Sequence, residues 1–275
     1  MAIDLPQARA TLEQAVARTA DLLASIPDGD HPVSKSDWTI GEVGAHLVWG
    51  LRAYTDAARG SFDVIRPHIP QTEHFRDRLS GTTAATLSLL PERHPGVLST
   101  LLVDAAEKFL AVTDRRALEE HIATPWYGSH TSLSLAASTC LLTAEQIVHG
   151  YDIATTLRRR WPISRADVLI FGPTVAAEMI PKIANPATAR GHTASYELRL
   201  RGGPRLVVHF RDGTPTVEPG HGQPVDCHLS AEPVNMLLVM YGRISQWGPI
   251  ARGQLLTWGR KPWLALSLKD RFFNP

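Results

Sequence analysis

Glu145 and His149 stand four residues apart in LSLAASTCLLTAEQIVHGYDIATTLRRR, residues 133–160. The stretch reads as one long helix, and helical neighbours at i and i+4 share a face. That face also carries Leu142, Asp152, Ile153 and Thr156, so the stripe points toward a core. A carboxylate there is costly unless a charge or a metal meets it. A second helix carries His46 on its buried side. Two ligands one turn apart lie on the same side of an ion, and a third from a facing helix completes a facial set. Two imidazoles and a carboxylate leave coordination positions open, the pattern of catalytic zinc sites and of some non-haem iron sites. The same spacing also suits a core histidine hydrogen-bonded to a buried carboxylate, and E-x-x-x-H alone does not separate the two. Asp152 is placed either to orient an imidazole from outside the ligand set or to cap or pair with Arg158 or Arg159. Glu42 and His46 repeat the spacing, but Glu42 has a structural role at the start of its helix.

Other chemistries find no support. There is no G-x-S-x-G, no G-x-G-x-x-G and no Walker-type loop. The two cysteines, Cys140 and Cys227, are far apart, which excludes a disulfide framework or a cysteine-rich zinc site. His192, His209, His221 and His228 show no metal-ligand spacing. A net charge of +1 leaves no electrostatic footprint for nucleic acid. The start, MAIDLPQARA, lacks the pattern of a secretory signal, and no apolar run reaches a membrane-spanning length. With 44% apolar and 20% charged residues, the chain is expected to be a folded cytoplasmic protein with no membrane partner.

The elements that must position these residues read as follows. Residues 5–26 repeat apolar positions at helical spacing and stop at the turn cluster 27–30. In DWTIGEVGAHLVWGLRAYTDAARG, Thr39 and Glu42 form a capping box and Trp38 and Val43 a hydrophobic staple, so a helix runs from Ile40 to Arg59 and stops at Gly60. Residues 61–94, broken by Pro67, Pro70, Gly81 and Pro91, read as a long connection with short helices near 72–79 and 83–89. Further helices are expected at 96–114 and, after the long one, at 164–183 with an irregularity at Pro173. The stretch ANPATARGH, residues 184–192, is the expected domain boundary. Beyond it the period changes to two. Tyr196, Leu198 and Leu200 alternate with Glu197, Arg199 and Arg201. Turns follow at Gly202–Gly203 and Asp212–Gly213, with strands at 206–210, 216–218, 225–230 and 254–258. Helices are expected at 233–241 and 262–271. The fold class is α+β, a helical bundle over residues 1–184 and a small domain with an antiparallel sheet over 192–275.

Two of these segments have a familiar form. WTIGEVGAHLVWG, with Trp38 and His46, and EQIVHGYDIATTL, with Glu145, His149 and Asp152, resemble the metal-binding domain of mycothiol-dependent maleylpyruvate isomerases. That resemblance implies a DinB-like four-helix bundle with extra helices, with His46, Glu145 and His149 as ligands of zinc or another divalent metal. It implies mycothiol as thiol cosubstrate and a small electrophilic substrate. The later segments VDCHLSAEPVNMLLVMYGRI and ARGQLLTWG resemble the sterol-carrier-type domain that follows the bundle in that family. In such an isomerase the thiolate adds to a conjugated double bond, allows rotation and leaves; relatives transfer it to other electrophiles. Residues 61–94 match no motif of the family, which leaves the substrate open and the catalytic groups unknown. The competing expectation is a lipid or apolar-ligand binding protein whose metal site is structural or vestigial.

Overall fold

The computed structural model describes residues 5–34 and 36–273, so the first four residues of MAIDLPQARA, the stretch read as lacking a secretory signal, lie outside it. The described residues form two compact units that divide between Pro162 and Ile163.

The first unit contains α1 (Leu5–Ala24), α2 (Ile40–Arg59), α3 (Phe75–Leu89), α4 (Pro95–Val112) and α5 (Leu135–Thr156). Helix α2 begins where its capping box dictates. The Thr39 amide donates to Glu42 Oε2 at 2.8 Å, and the Glu42 amide donates to Thr39 Oγ1 at 3.3 Å. It ends at Gly60, whose left-handed backbone (φ 71°) closes the last turn. Helix α5 starts at Ser134, whose hydroxyl accepts from the Ala137 amide at 3.0 Å. It stops at Thr156, four residues before its expected end. Helices α1, α2, α4 and α5 pack as the expected four-helix bundle, each of α1 and α2 lying against both α4 and α5. Leu12, Leu23, Leu47, Leu51, Leu98, Leu102, Phe109, Ile147 and Ile153 fill its core. Each such burial contributes roughly 1.5–3 kcal/mol, which lets the bundle carry polar groups between α2 and α5.

The two short helices expected within residues 61–94 are one helix, α3, running through Gly81. A glycine inside a helix costs about 1 kcal/mol, but here Pro70 crosses so closely that a Cβ would lie 2.5 Å from its Cγ. A hairpin of β1 (His121–Ala123) and β2 (Ser132–Ser134) encloses a 3₁₀ turn at Pro125–Tyr127. The sequence reading missed it, because three-residue strands are too short for alternation to register.

The second unit contains α6 (Arg165–Met179), α7 (Pro186–Ala189), β3 (Ala194–Leu200), β4 (Arg205–Arg211), β5 (Thr214–Pro219), β6 (Cys227–Ala231), α8 (Pro233–Met240), α9 (Trp247–Ala251) and β7 (Leu255–Trp258). The boundary expected near Ala184 therefore differs from the observed division, since α6 packs on α8 and β5. The sheet order is β5-β4-β3-β6-β7. The expected antiparallel sheet holds for three of the four pairings, but β6 lies parallel to β3, with Tyr196 opposite Cys227 and Leu198 opposite Leu229. Strand β6 returns to the free edge of the β3–β4–β5 meander, and the connection through residues 220–226 sets its direction. The β4–β5 turn has positive φ at both Asp212 (49°) and Gly213 (85°), the primed geometry that suits a tight hairpin. The expected closing helix is two 3₁₀ turns, Pro262–Ser267 and Lys269–Arg271. Among the described residues no helix is long and apolar enough to cross a membrane.

One close approach fixes α5 beside its polar cluster. The Trp161 indole donates to the Ile147 carbonyl at 3.0 Å and lies so near Gly150 that a Cβ there would sit 2.1 Å from Trp161 Cζ2. Gly150→Ala gains about 1 kcal/mol of helix propensity but meets an overpacking cost of about 1–3 kcal/mol. Urea denaturation should show it destabilising in the parent and neutral or stabilising in a Trp161→Ala background. Stabilisation of the parent would contradict the close packing.

Candidate metal centre

The three expected ligands converge. Oε2 of Glu145 lies 3.3 Å from Nε2 of His46 on α2 and 3.3 Å from Nε2 of His149 one turn along α5. One ligand atom from each of the three falls within 4.8 Å of the others, and among the described residues no other trio of such groups does so. Side-chain exposures of 23% for His46, 27% for Glu145 and 16% for His149 show a cluster that is recessed yet partly exposed. A purely structural core pair needs no such opening; a coordination site that exchanges ligands does.

Several contacts hold the imidazoles in place. Nδ1 of His149 lies 3.3 Å from Oδ2 of Asp152. An Nδ1–H donated to that carboxylate leaves the lone pair on Nε2, on the side of Glu145. The Trp38 ring lies 5.0 Å from the His46 ring and 6.3 Å from the His149 ring, centroid to centroid. Trp38 is delivered by the segment before α2. Its carbonyl accepts from the Val33 amide at 2.8 Å, and the Ser34 amide donates to the Thr156 hydroxyl at the end of α5 at 2.9 Å. Glu42 is occupied by its capping box.

The charges are mutually dependent. Burial works to raise the Glu145 pKa, but hydrogen bonds and charge from His149 and His46 more than offset it and hold the carboxyl well below its usual range. Burial works against a charged His149, but Asp152 and Glu145 outweigh it and push its pKa up to about 9. The donor set also fits a metal. Imidazole and carboxylate ligands suit zinc, and a tetrahedron with bonds of about 2.0–2.1 Å has edges of roughly 3.3 Å. Both nitrogen–oxygen separations at Glu145 match that edge.

Two groups that no sequence spacing marked lie on the same unit. Tyr54, two turns beyond His46 on α2, has its hydroxyl 3.4 Å from that of Tyr127 in the 3₁₀ turn. Burial, first, and the negative charge of Glu145, further down the order of causes, raise both phenol pKa values. Isolated tyrosines carry no pattern; only the eight-residue step from His46 hinted at Tyr54.

The sign of the pH dependence follows for the metal-free chain. His149 has a folded pKa near 9 against about 6.5 unfolded, so its stabilising contribution is complete below about pH 6.5 and is lost as pH rises through 9. Glu145 contributes above about pH 4.5 and loses its contribution only in acid. Denaturation of the chelator-treated protein from pH 6 to 10 should therefore show stability falling across pH 6.5–9. A flat profile there would contradict a charged His149 held between two carboxylates.

Comparison with known proteins gives three findings. The family model of the mycothiol maleylpyruvate isomerase N-terminal domain matches residues 12–154, which include His46, Glu145, His149 and Asp152. The fold is similar to the crystal structure of a mycothiol-dependent maleylpyruvate isomerase, with a TM-score of 0.54, 14% identity and 93% of each chain covered. It is equally similar to a histidine-to-alanine mutant of a mycothiol-dependent maleylpyruvate isomerase, at TM-score 0.54, 11% identity and 93% coverage of each chain. At such identities the two structures speak for the fold alone. No curated protein matches the sequence.

Proposed function

The chain belongs to the mycothiol maleylpyruvate isomerase family through its N-terminal domain, and from that premise we propose that it is a thiol-dependent isomerase working at a divalent metal such as zinc. His46, Glu145 and His149 would hold the metal. The observation that carries this reading is the single Glu145 oxygen set 3.3 Å from two imidazole nitrogens in a partly exposed recess. When bound, the metal deprotonates a coordinating thiol and so supplies a nucleophile at neutral pH. Glu145 would lower the charge of such a centre to +1, the sum of a dication, one carboxylate and two neutral imidazoles, which is still positive enough to favour an anionic thiolate there. Asp152 holds the tautomer of His149 that presents Nε2. Trp38 covers the two imidazole rings and shields that side from water. The substrate class is a small electrophile with a conjugated double bond; that bond becomes single as sulfur adds, rotates, and re-forms as sulfur leaves. Transfer of the thiol to other electrophiles would use the same centre.

The competing reading, a carrier of lipids, rests on the second unit. An apolar pocket there is lined by Leu229, Met236, Met240, Ile250, Leu255 and Leu266, but its free volume is about 30 Å³. That is room for a few waters at most, which favours the isomerase.

Three substitutions test the ligand set and its orienting partner. Glu145→Gln removes the charge that both imidazoles face, so it should lower stability of the metal-free protein below pH 9 and should abolish most of the zinc-induced rise in melting temperature. If Glu145 merely pairs with His149, the zinc-induced rise will be the same in mutant and parent. His46→Ala should leave the bundle folded and weaken zinc by more than about 100-fold. Asp152→Asn should weaken it by about 10–100-fold, as loss of an orienting partner does. Competition titrations with a zinc chelator read both, and equal affinity of His46→Ala and parent would remove His46 from the set.

A further inference from the structure

The face of α2 that bears His46 continues through Gly50 to Tyr54, each four residues on. Helical side chains lean toward the N-terminus, so Tyr54 leans back over Gly50 toward His46. Gly50 leaves that strip clear: a Cβ there would find nothing nearer than Leu142 Cδ2 at 3.9 Å. Tyr54 is buried, and its hydroxyl meets that of Tyr127 at 3.4 Å.

Tyr127 is held from three sides. Its ring stacks on Phe75 at 6.0 Å with planes 9° apart. Its carbonyl accepts from Nη1 of Arg78 at 3.2 Å, and Arg78, itself buried, also donates to the Thr72 carbonyl. The Trp126 ring stands edge-on to Tyr54 at 5.2 Å and to Tyr127 at 6.1 Å. Phe75, Arg78 and Thr72 all belong to residues 61–94, the stretch without a motif. Its fold thus builds the support of one tyrosine.

The proton count is the decisive feature. Two hydroxyls carry two protons. Their one mutual contact uses a single proton, so the pair keeps a second O–H that a ligand could accept. Both phenols stay protonated at neutral pH. A recessed hydroxyl held against Tyr54, itself on the α2 face that leads to His46, is placed to receive a ligand's oxygen.

We propose that the Tyr127 hydroxyl, polarised by Tyr54, donates a hydrogen bond to the carbonyl oxygen of the electrophile as that oxygen becomes an enolate. The assignment rests on the isomerase reading. In the addition, sulfur forms a bond to the distal alkene carbon and the π pair moves onto the carbonyl oxygen. In the elimination that pair re-forms the double bond and the carbon–sulfur bond breaks, returning the thiolate. No proton is consumed, so Tyr127 acts as a donor that never transfers its proton. Tyr54, Phe75 and Arg78 are positioning residues.

The test uses the zinc-loaded full chain, with maleylpyruvate and mycothiol for turnover and acetylpyruvate, a diketo acid with a stable enolate, for binding. Tyr127→Phe should lower kcat about 10²–10³-fold, the usual loss of an oxyanion donor, with KM changing far less. It should weaken acetylpyruvate at least tenfold while zinc content and mycothiol affinity stay at parent values. Tyr54→Phe should lose less, because Tyr127 keeps its own proton. If the parent turns nothing over yet binds acetylpyruvate through Tyr127, the isomerase reading fails and the donor assignment stands. If Tyr127→Phe keeps kcat and acetylpyruvate affinity within about twofold, or the folded parent binds no acetylpyruvate, the assignment is overturned.

Discussion

One carboxylate oxygen organises this protein. Oε2 of Glu145 is shared by two imidazoles from different helices, so α2 and α5 must hold a fixed distance and rotation. A buried charge of this kind is tolerated only where its partners are in place. Much of the surrounding structure serves that constraint. The capping box sets where α2 starts and therefore which way His46 faces. The segment before α2 ties to the end of α5 through Ser34 and Thr156 and lays Trp38 over both rings. Trp161 on Gly150 sets the other side of α5. Asp152 meets Nδ1 of His149 while Glu145 meets its Nε2.

The same constraint explains why the site is recessed and not sealed. Full burial would raise the cost of every charge in the cluster, and full exposure would let water compete with each contact. The observed exposures of about a fifth leave a mouth on the cluster. Beyond the ligands, α3 and the 3₁₀ turn bring Tyr127 against Tyr54, so the irregular half of the unit contributes hydrogen-bonding groups where the regular half contributes ligands.

The legible parts of the sequence were those governed by short-range rules. Thr39 and Glu42 announced α2 to the residue, and Gly60 announced its end. Glu145 and His149 share a face because the helical repeat puts them there. Asp212–Gly213 gave its hairpin turn. What stayed illegible was set by partners distant in the chain. Nothing in the periodicity of α6 says that it packs on α8, so the division fell at Pro162 and not near Ala184. Nothing local says that β6 returns parallel to β3. Gly81 read as a break, whereas it stays helical because Pro70 needs the space. Glu145 read as a carboxylate that a charge or a metal must meet, and the structure sets two imidazoles against one of its oxygens.

The most direct measurement of the central claim is optical, with cobalt(II) in place of zinc. One equivalent of cobalt added to the metal-free protein should give the visible bands of a four-coordinate site, and mycothiol should then add a sulfur-to-cobalt charge-transfer band. Both require that Glu145, His46 and His149 bind the ion and leave one position open. A protein that takes up no stoichiometric cobalt, or one whose cobalt spectrum is unmoved by the thiol, would contradict the account.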